Sequence, residues 1–186
     1  MQKHFLDSIL LSKYIDLRGS EIIDVGTGAG FPGIPLAILY PETKFVLMDS
    51  LMKKLKFIDT ACEKCNIKNV VTVHGRAEDI GKNQDYREKF DYCVSRAVAP
   101  LPTLLELCIP LCRVKGKFIS YKSELLNEEL GKAELAMKEL NCTLKDKYNY
   151  TIPDTDFYRV LAVFEKKGKT KMKYPRQAGT PKRNPL

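Results

Sequence analysis

Long apolar runs are missing from this chain: the cluster Ile9 to Leu11 is the first, and it follows His4 and Asp7 closely. A membrane-spanning helix takes about 20 consecutive apolar residues, so neither a span nor a secretory signal is expected, and the expected compartment is the cytosol. Paired cysteine motifs are missing too. Cys62-x-x-Cys65 stands alone inside a helical pattern, without the second pair that a zinc site needs, so no metal is expected. With Cys93, Cys108, Cys112 and Cys142 these make six cysteines, spread through apparent helices and strands and read as reduced thiols. No internal repeat is visible. Acidic residues stop at Glu165, and beyond it come Lys166, Lys167, Lys169, Lys171, Lys173, Arg176, Lys182 and Arg183.

Those eight cations account for the whole net charge of +8, leaving 23 basic against 23 acidic residues elsewhere. A basic tail on a neutral body reads as an electrostatic footprint for a polyanion, most simply nucleic acid, or else as a solvated solubility tail. At 186 residues and 44% hydrophobic the chain fits one domain. It is divided here into a body, 1–165, opened by a packed helix at 1–18, and a basic tail, 166–186.

The densest information lies in Glu21 to Pro41, EIIDVGTGAGFPGIPLAILYP. Ile22, Ile23 and Val25 form a β-branched apolar run that reads as a buried parallel strand. Gly26, Gly28 and Gly30 then form a turn in which the backbone can approach a ligand. Pro32 and Pro35 suit the first turn of a helix that ends at Tyr40-Pro41. A dinucleotide fingerprint, G-x-G-x-x-G, would place its last glycine where Phe31 stands. The observed D-x-G-x-G-x-G resembles S-adenosylmethionine-dependent methyltransferases instead; an NAD-dependent oxidoreductase and a glycine turn without a ligand are the rivals.

The remaining elements follow in order. Lys3 to Leu11 reads as a helix on the sheet edge. Lys44 to Met48 is a second strand, ending at Asp49, where a carboxylate either grips ribose hydroxyls or caps the next helix. Met52 to Cys65 is an amphipathic helix with solvated lysines, Lys54 among them. Val70 to Val73 is followed by Gly75-Arg76-Ala77-Glu78-Asp79, where Ala77 and the backbone near Glu78 read adenine unless Glu78-Asp79 merely cap a helix. Phe90 to Val94 leads to Ser95-Arg96-Ala97. A charge at that strand tip needs an anionic partner: the cofactor carboxylate, an RNA phosphate, the guanine acceptor edge or a structural salt bridge. A helix over Leu101 to Cys112, a strand over Gly116 to Tyr121, a helix over Leu125 to Leu140 and a late hairpin (Cys142 to Thr151, Tyr158 to Phe164) complete an α/β fold. The expectation is a doubly wound, mainly parallel seven-stranded sheet of Rossmann-like type.

Several of these pieces together resemble the bacterial small-subunit ribosomal RNA guanine-N7 methyltransferases, the RsmG or GidB family. They are Lys3-His4-Phe5-Leu6-Asp7-Ser8, Asp24 to Pro35, Asp49-Ser50-Leu51, Arg76-Ala77-Glu78, Ser95-Arg96-Ala97, Tyr174-Pro175-Arg176, Gly179-Thr180-Pro181 and Asn184-Pro185-Leu186. The resemblance implies S-adenosylmethionine as cofactor, held by Gly26, Gly28, Gly30, Phe31, Asp49, Ser50, Leu51, Ala77, Glu78 and Arg96, with Arg96 orienting substrate or cofactor. It also implies transfer to N7 of a guanine in 16S RNA by direct in-line displacement; a monomer is expected. Members carry a further helical segment ahead of the Lys-His-Phe-Leu-Asp-Ser stretch. Guanine N7 is an acceptor with an in-plane lone pair and needs no general base, which agrees with the lack of a cysteine nucleophile or histidine dyad beside the cleft. In the tail, Lys169, Lys171, Lys173, Arg176, Lys182 and Arg183 are expected on RNA phosphates and Tyr174 on a base. A non-catalytic RNA-binding protein on the same fold is the alternative from another class.

Overall fold

The computed structural model describes residues 2–186. Seven strands form one sheet in the order β3-β2-β1-β4-β5-β7-β6. They are β1 (Glu21–Val25), β2 (Lys44–Asp49), β3 (Val70–His74), β4 (Phe90–Arg96), β5 (Cys112–Lys122), β6 (Cys142–Thr151) and β7 (Tyr158–Lys166). The first five run parallel, and β7 enters antiparallel between β5 and β6. β1 lies third from the edge with four of its five residues buried, as a strand covered on both faces must be. Because side chains alternate along a strand, Ile22 and Ile23 feed different cores.

Helices α1 (Gln2–Ile9), α2 (Gly33–Leu39) and α3 (Met52–Lys64) cover the Ile22 face, where Leu36, Leu55 and Ile58 meet Phe45, Leu47, Val94 and Ile119. The Ile23 face is covered by α4 (Ala77–Ile80), α5 (Leu101–Cys108), α6 (Leu126–Lys132) and α7 (Glu134–Glu139). Several boundaries differ from the sequence reading. The helix expected over Leu125 to Leu140 is two helices meeting at Ala133, which is buried and ends α6 as it begins α7. α5 stops at Cys108, and β5 starts at Cys112, earlier than the expected Gly116. Among the described residues no helix is long and apolar enough to cross a membrane.

α1 does not pack on the sheet edge. It lies against α2 and across the strand tips: Tyr121 Oη of β5 donates to the Ser8 carbonyl at 2.8 Å, and Tyr150 Oη of β6 to Asp7 Oδ1 at 2.8 Å. Polar residues inside an apolar-periodic helix signal this, because Asp7 and Ser8 are buried and need partners.

The basic segment from Lys166 is not a free tail, and here the expectation is corrected. Lys166 is fully buried, pairs with Glu88 at 2.7 Å and donates to the carbonyls of Ile109 and Cys112. Arg176 forks onto the buried Glu106, Nε to Oε1 at 2.9 Å and Nη2 to Oε2 at 2.6 Å. Tyr174 is 4% exposed and donates to Glu139 at 3.0 Å, so its ring has no face for a base. Lys171 and Lys173 pair with the same Glu139, whose carboxyl is held down to about 2 by hydrogen bonds from Lys171, Tyr174 and Lys173. Arg87, itself buried, donates to the carbonyls of Gly81, Thr170, Lys171 and Tyr174. A short helix, α8 (Thr180–Arg183), then docks on α5, with Thr103 donating to the Pro181 carbonyl at 3.0 Å. Composition revealed the charge of this segment but not the acids on the body that neutralise it.

Removing one member of the Arg176–Glu106 pair strands a buried carboxylate. Arg176→Met should therefore cost about 3 kcal/mol in urea unfolding, and Arg176→Met with Glu106→Gln should recover part of that loss.

Candidate nucleoside and methyl-transfer cleft

The turn after β1 is built around two carboxylates. Asp24 Oδ2 accepts the Thr27 hydroxyl at 2.7 Å and the Gly33 amide at 2.9 Å, which ties the strand to the start of α2 across the loop. Asp49, at the tip of β2, accepts the Gly28 amide at 3.0 Å on Oδ2 and the Leu51 amide at 3.0 Å on Oδ1. Gly26 and Gly28 sit at φ +71° and +63°, in the left-handed region where a Cβ is penalised. At Gly26 a Cβ would also lie 2.6 Å from Val98 Cγ2. Asp24 is fully buried, its Oδ1 has no partner among the described residues, and burial pushes its carboxyl up to about 6.

Two cavities open on either side of this turn. One, about 360 Å³, is walled by Met48, Ala77, Val98 and Leu107 and edged by Asp49, Ser50, Leu51 and Glu78. The other, about 730 Å³, is bordered by His4, Asp7, Gly28, Phe31, Arg96, Tyr121, Lys122 and Arg159. Gly26, Lys54 and Ala97 border both, so the tips of β1 and β4 form the divide. Ala97 stands at φ +56°, an uncommon conformation for a residue with a Cβ, and it sits on that divide.

Most of the anticipated positions thus converge, but some do so in other roles. Gly30 borders neither cavity; it is buried, and a Cβ there would overlap Ile34 of α2. Asp49 is not the N-cap of α3, since Leu51 holds that position, yet it orders the approach to the helix through the Leu51 amide. Glu78 caps nothing in α4: its Oε1 accepts the Gly179 amide at 2.8 Å, bringing the C-terminal segment to the rim of the smaller cavity. Arg96 has a protein partner. Its Nη1 donates to Asp7 Oδ2 at 3.0 Å, to Ser8 Oγ at 3.3 Å and to the His4 carbonyl at 3.3 Å, while its guanidinium lies 5.4 Å from the Phe31 ring. Of the choices open for its anionic partner, the salt bridge is the one observed, with an acceptor 89 residues away that no spacing rule finds.

Lys54 is the residue the sequence reading missed. Taken as solvated, it instead pairs with Asp49 Oδ2 at 3.2 Å and borders both cavities. The available signal was its place in the first turn of the helix that follows Asp49. The thiols stay in the background: burial raises Cys93, Cys108 and Cys142, the last to about 12, and only Cys65 is exposed. Among the described residues no three ligating side chains gather.

The smaller cavity combines apolar Met48, Ala77, Val98 and Leu107 with the carboxylates of Asp49 and Glu78, the mix of apolar surface and a few polar groups that small-molecule sites have. The sheet order with β7 antiparallel, the glycine turn after β1 and the carboxylate ending β2 define the Rossmann-like class I methyltransferase fold. Among solved structures the chain is similar to TYW2 of M. jannaschii in complex with AdoMet (TM-score 0.69, 12% identity, 89% of this chain and 77% of that one). It is also similar to a ribosomal protein L11 methylase of Lactobacillus delbrueckii subsp. bulgaricus (TM-score 0.65, 18% identity, 90% and 80%). The sequence profile described as "rRNA small subunit methyltransferase G" (GidB) matches residues 1–152. Curated relatives named ribosomal RNA small subunit methyltransferase G, from Lachnoclostridium phytofermentans and Alkaliphilus oremlandii, are each 46% identical across 100% of this chain and 77% or 78% of their own length. The chain belongs to the rRNA small subunit methyltransferase G (GidB) family.

Asp24 supplies a pH test of the loop. Its folded pKa, about 6, lies above the ordinary 3.8, so the native state binds more protons than the unfolded chain between these values. Stability from this group is therefore full below about pH 4 and falls by roughly 3 kcal/mol as pH rises through 6. Unfolding curves from pH 4 to 7 should show that decline in the wild type, and Asp24→Asn should remove it.

Proposed function

We propose that this chain is an S-adenosylmethionine-dependent methyltransferase acting on N7 of a guanine in small-subunit ribosomal RNA, as a cytoplasmic monomer. The observation that carries the reading is the pair of cavities joined at Gly26, Lys54 and Ala97, one shaped for a nucleoside and the other open and lined with cations. Family membership supplies the nucleic-acid class. Held by Asp49, Ala77 and Glu78, the cofactor would supply an electrophilic methyl group to the N7 lone pair, with the electron pair of the broken carbon–sulfur bond staying on sulfur.

The protein's work is then mostly positional, since holding reactants in line can supply much of the rate. Asp49, whose Oδ2 is paired with Lys54, would receive the ribose hydroxyls. Ala77 and Glu78 face the adenine edge. Arg96, fixed by Asp7 and 5.4 Å from the centre of the Phe31 ring, borders the larger cavity and orients what enters there. No base is asked of the chain, in keeping with an Asp7 carboxylate already occupied by Tyr150 and Arg96. An A-form duplex hides N7 in a groove that side chains do not enter, so the target is a splayed base in a loop or bulge. Lys169, Lys182 and Arg183, exposed on the C-terminal segment, serve as outlying phosphate contacts.

Transfer of labelled methyl to small ribosomal subunits, with the modified base mapped, tests the reading; label on protein or on no guanine N7 would overturn it. Arg96→Ala should slow transfer about 10- to 100-fold while cofactor affinity by calorimetry changes little. Asp49→Ala should weaken cofactor binding by a similar factor in the same calorimetry.

A further inference from the structure

An aromatic and cationic rim borders the larger cavity, away from the C-terminal segment. The turn between β6 and β7 closes on itself: the Ile152 amide donates to the Phe157 carbonyl at 3.1 Å, the Thr155 hydroxyl to the Ile152 carbonyl at 2.9 Å, and the Phe157 amide to Thr155 Oγ1 at 3.2 Å. This fixed turn presents Phe157 to solvent, 48% exposed. Two cations lie over its ring, Lys3 Nζ at 4.8 Å and the Arg159 guanidinium at 5.6 Å, and a base that stacks there displaces one of these flexible side chains toward its phosphate. Arg159 itself borders the cavity, beside His4 and Arg96. A second group of rings continues inward, with Phe5 edge-on to Phe31 at 5.0 Å and His4 tilted on it at 5.9 Å.

An exposed phenylalanine held by a rigid turn costs solvation and contributes nothing to the core. Rings flanked by ammonium and guanidinium groups are what unpaired nucleotides use: the base stacks on the ring and its phosphates meet the cations. We infer that Phe157, with Lys3 and Arg159, is a stacking platform for a single-stranded nucleotide flanking the one that enters the cavity. The inference rests on the RNA reading above and deepens it, moving the main strand contact from the C-terminal cations to the β6–β7 turn. The occupant is a single strand rather than a duplex because a paired base offers no face to Phe157. Asp154 and Asp156 lie exposed on the same turn, so the phosphates approach from the Lys3 and Arg159 side.

The test is fluorescence anisotropy of a labelled 12-nucleotide single-stranded RNA and of the same RNA in a duplex, at several salt concentrations, with the full chain. Phe157→Ala should weaken single-strand binding about 10-fold and Phe157→Trp should restore it, with the duplex affected little. Arg159→Gln should weaken binding and lower the salt slope by about one, whereas Lys68→Gln, remote from the cavity, should not. Asp156→Asn should tighten binding, a change of sign that a merely structural turn would not give. Unchanged cofactor affinity in each variant reports an intact fold. Equal strand affinity for Phe157→Ala and wild type, equal loss on the duplex, or no strand binding by the wild type overturns the platform. Strand binding through Phe157 without methyl transfer to ribosomal RNA would instead overturn the functional reading and leave the platform standing.

Discussion

Everything at the cleft depends on the way two strand-end carboxylates hold a glycine-rich loop in place. Asp24 reaches over the turn to Thr27 and Gly33, and Asp49 reaches in from the neighbouring strand to Gly28. Left-handed backbone at Gly26 and Gly28 is costly in chain entropy, and it persists because three donors, the Thr27 hydroxyl and the Gly28 and Gly33 amides, are satisfied by carboxylates on two neighbouring strands. The same anchoring sets the separation of the two cavities, since Gly26 is the shared wall. A ligand's nucleoside and the entering base are thereby placed relative to the sheet rather than to a mobile segment.

Much of this was legible in the residues. Periodicity found every strand and the sheet class, because β-branched runs bounded by turns leave few alternatives. The glycine spacing and Phe31 in place of a third fingerprint glycine separated this cleft from a dinucleotide site. Local contacts were read only in outline: Asp49 was expected to grip ribose or cap the next helix, whereas it accepts the Leu51 amide and Leu51 is the N-cap, and the Asp24–Thr27 bond had no counterpart in the spacing.

Long-range pairing was the part that stayed hidden. Arg96 needed a partner, and chemistry said so, but nothing in spacing selects Asp7 over a ligand. The basic stretch from Lys166 looked like an unstructured polyanion contact because net charge is blind to geometry. Glu88, Glu106 and Glu139 lie scattered through the body, and only the packed chain shows that they answer Lys166, Arg176, and the pair Lys171 and Lys173. Lys54 was misread for the opposite reason, as an ordinary lysine on an amphipathic helix whose first turn happens to face a carboxylate.

The bond from the Gly179 amide to Glu78 has a temporal meaning. All seven strands are synthesised before Gly179 leaves the ribosome, so a nascent chain can own its complete sheet while one rim of the nucleoside slot is still missing. The contact at Glu78 is made late, by residues far down the chain, and the same segment carries the Arg176 that answers the buried Glu106, so binding edge and body are completed together.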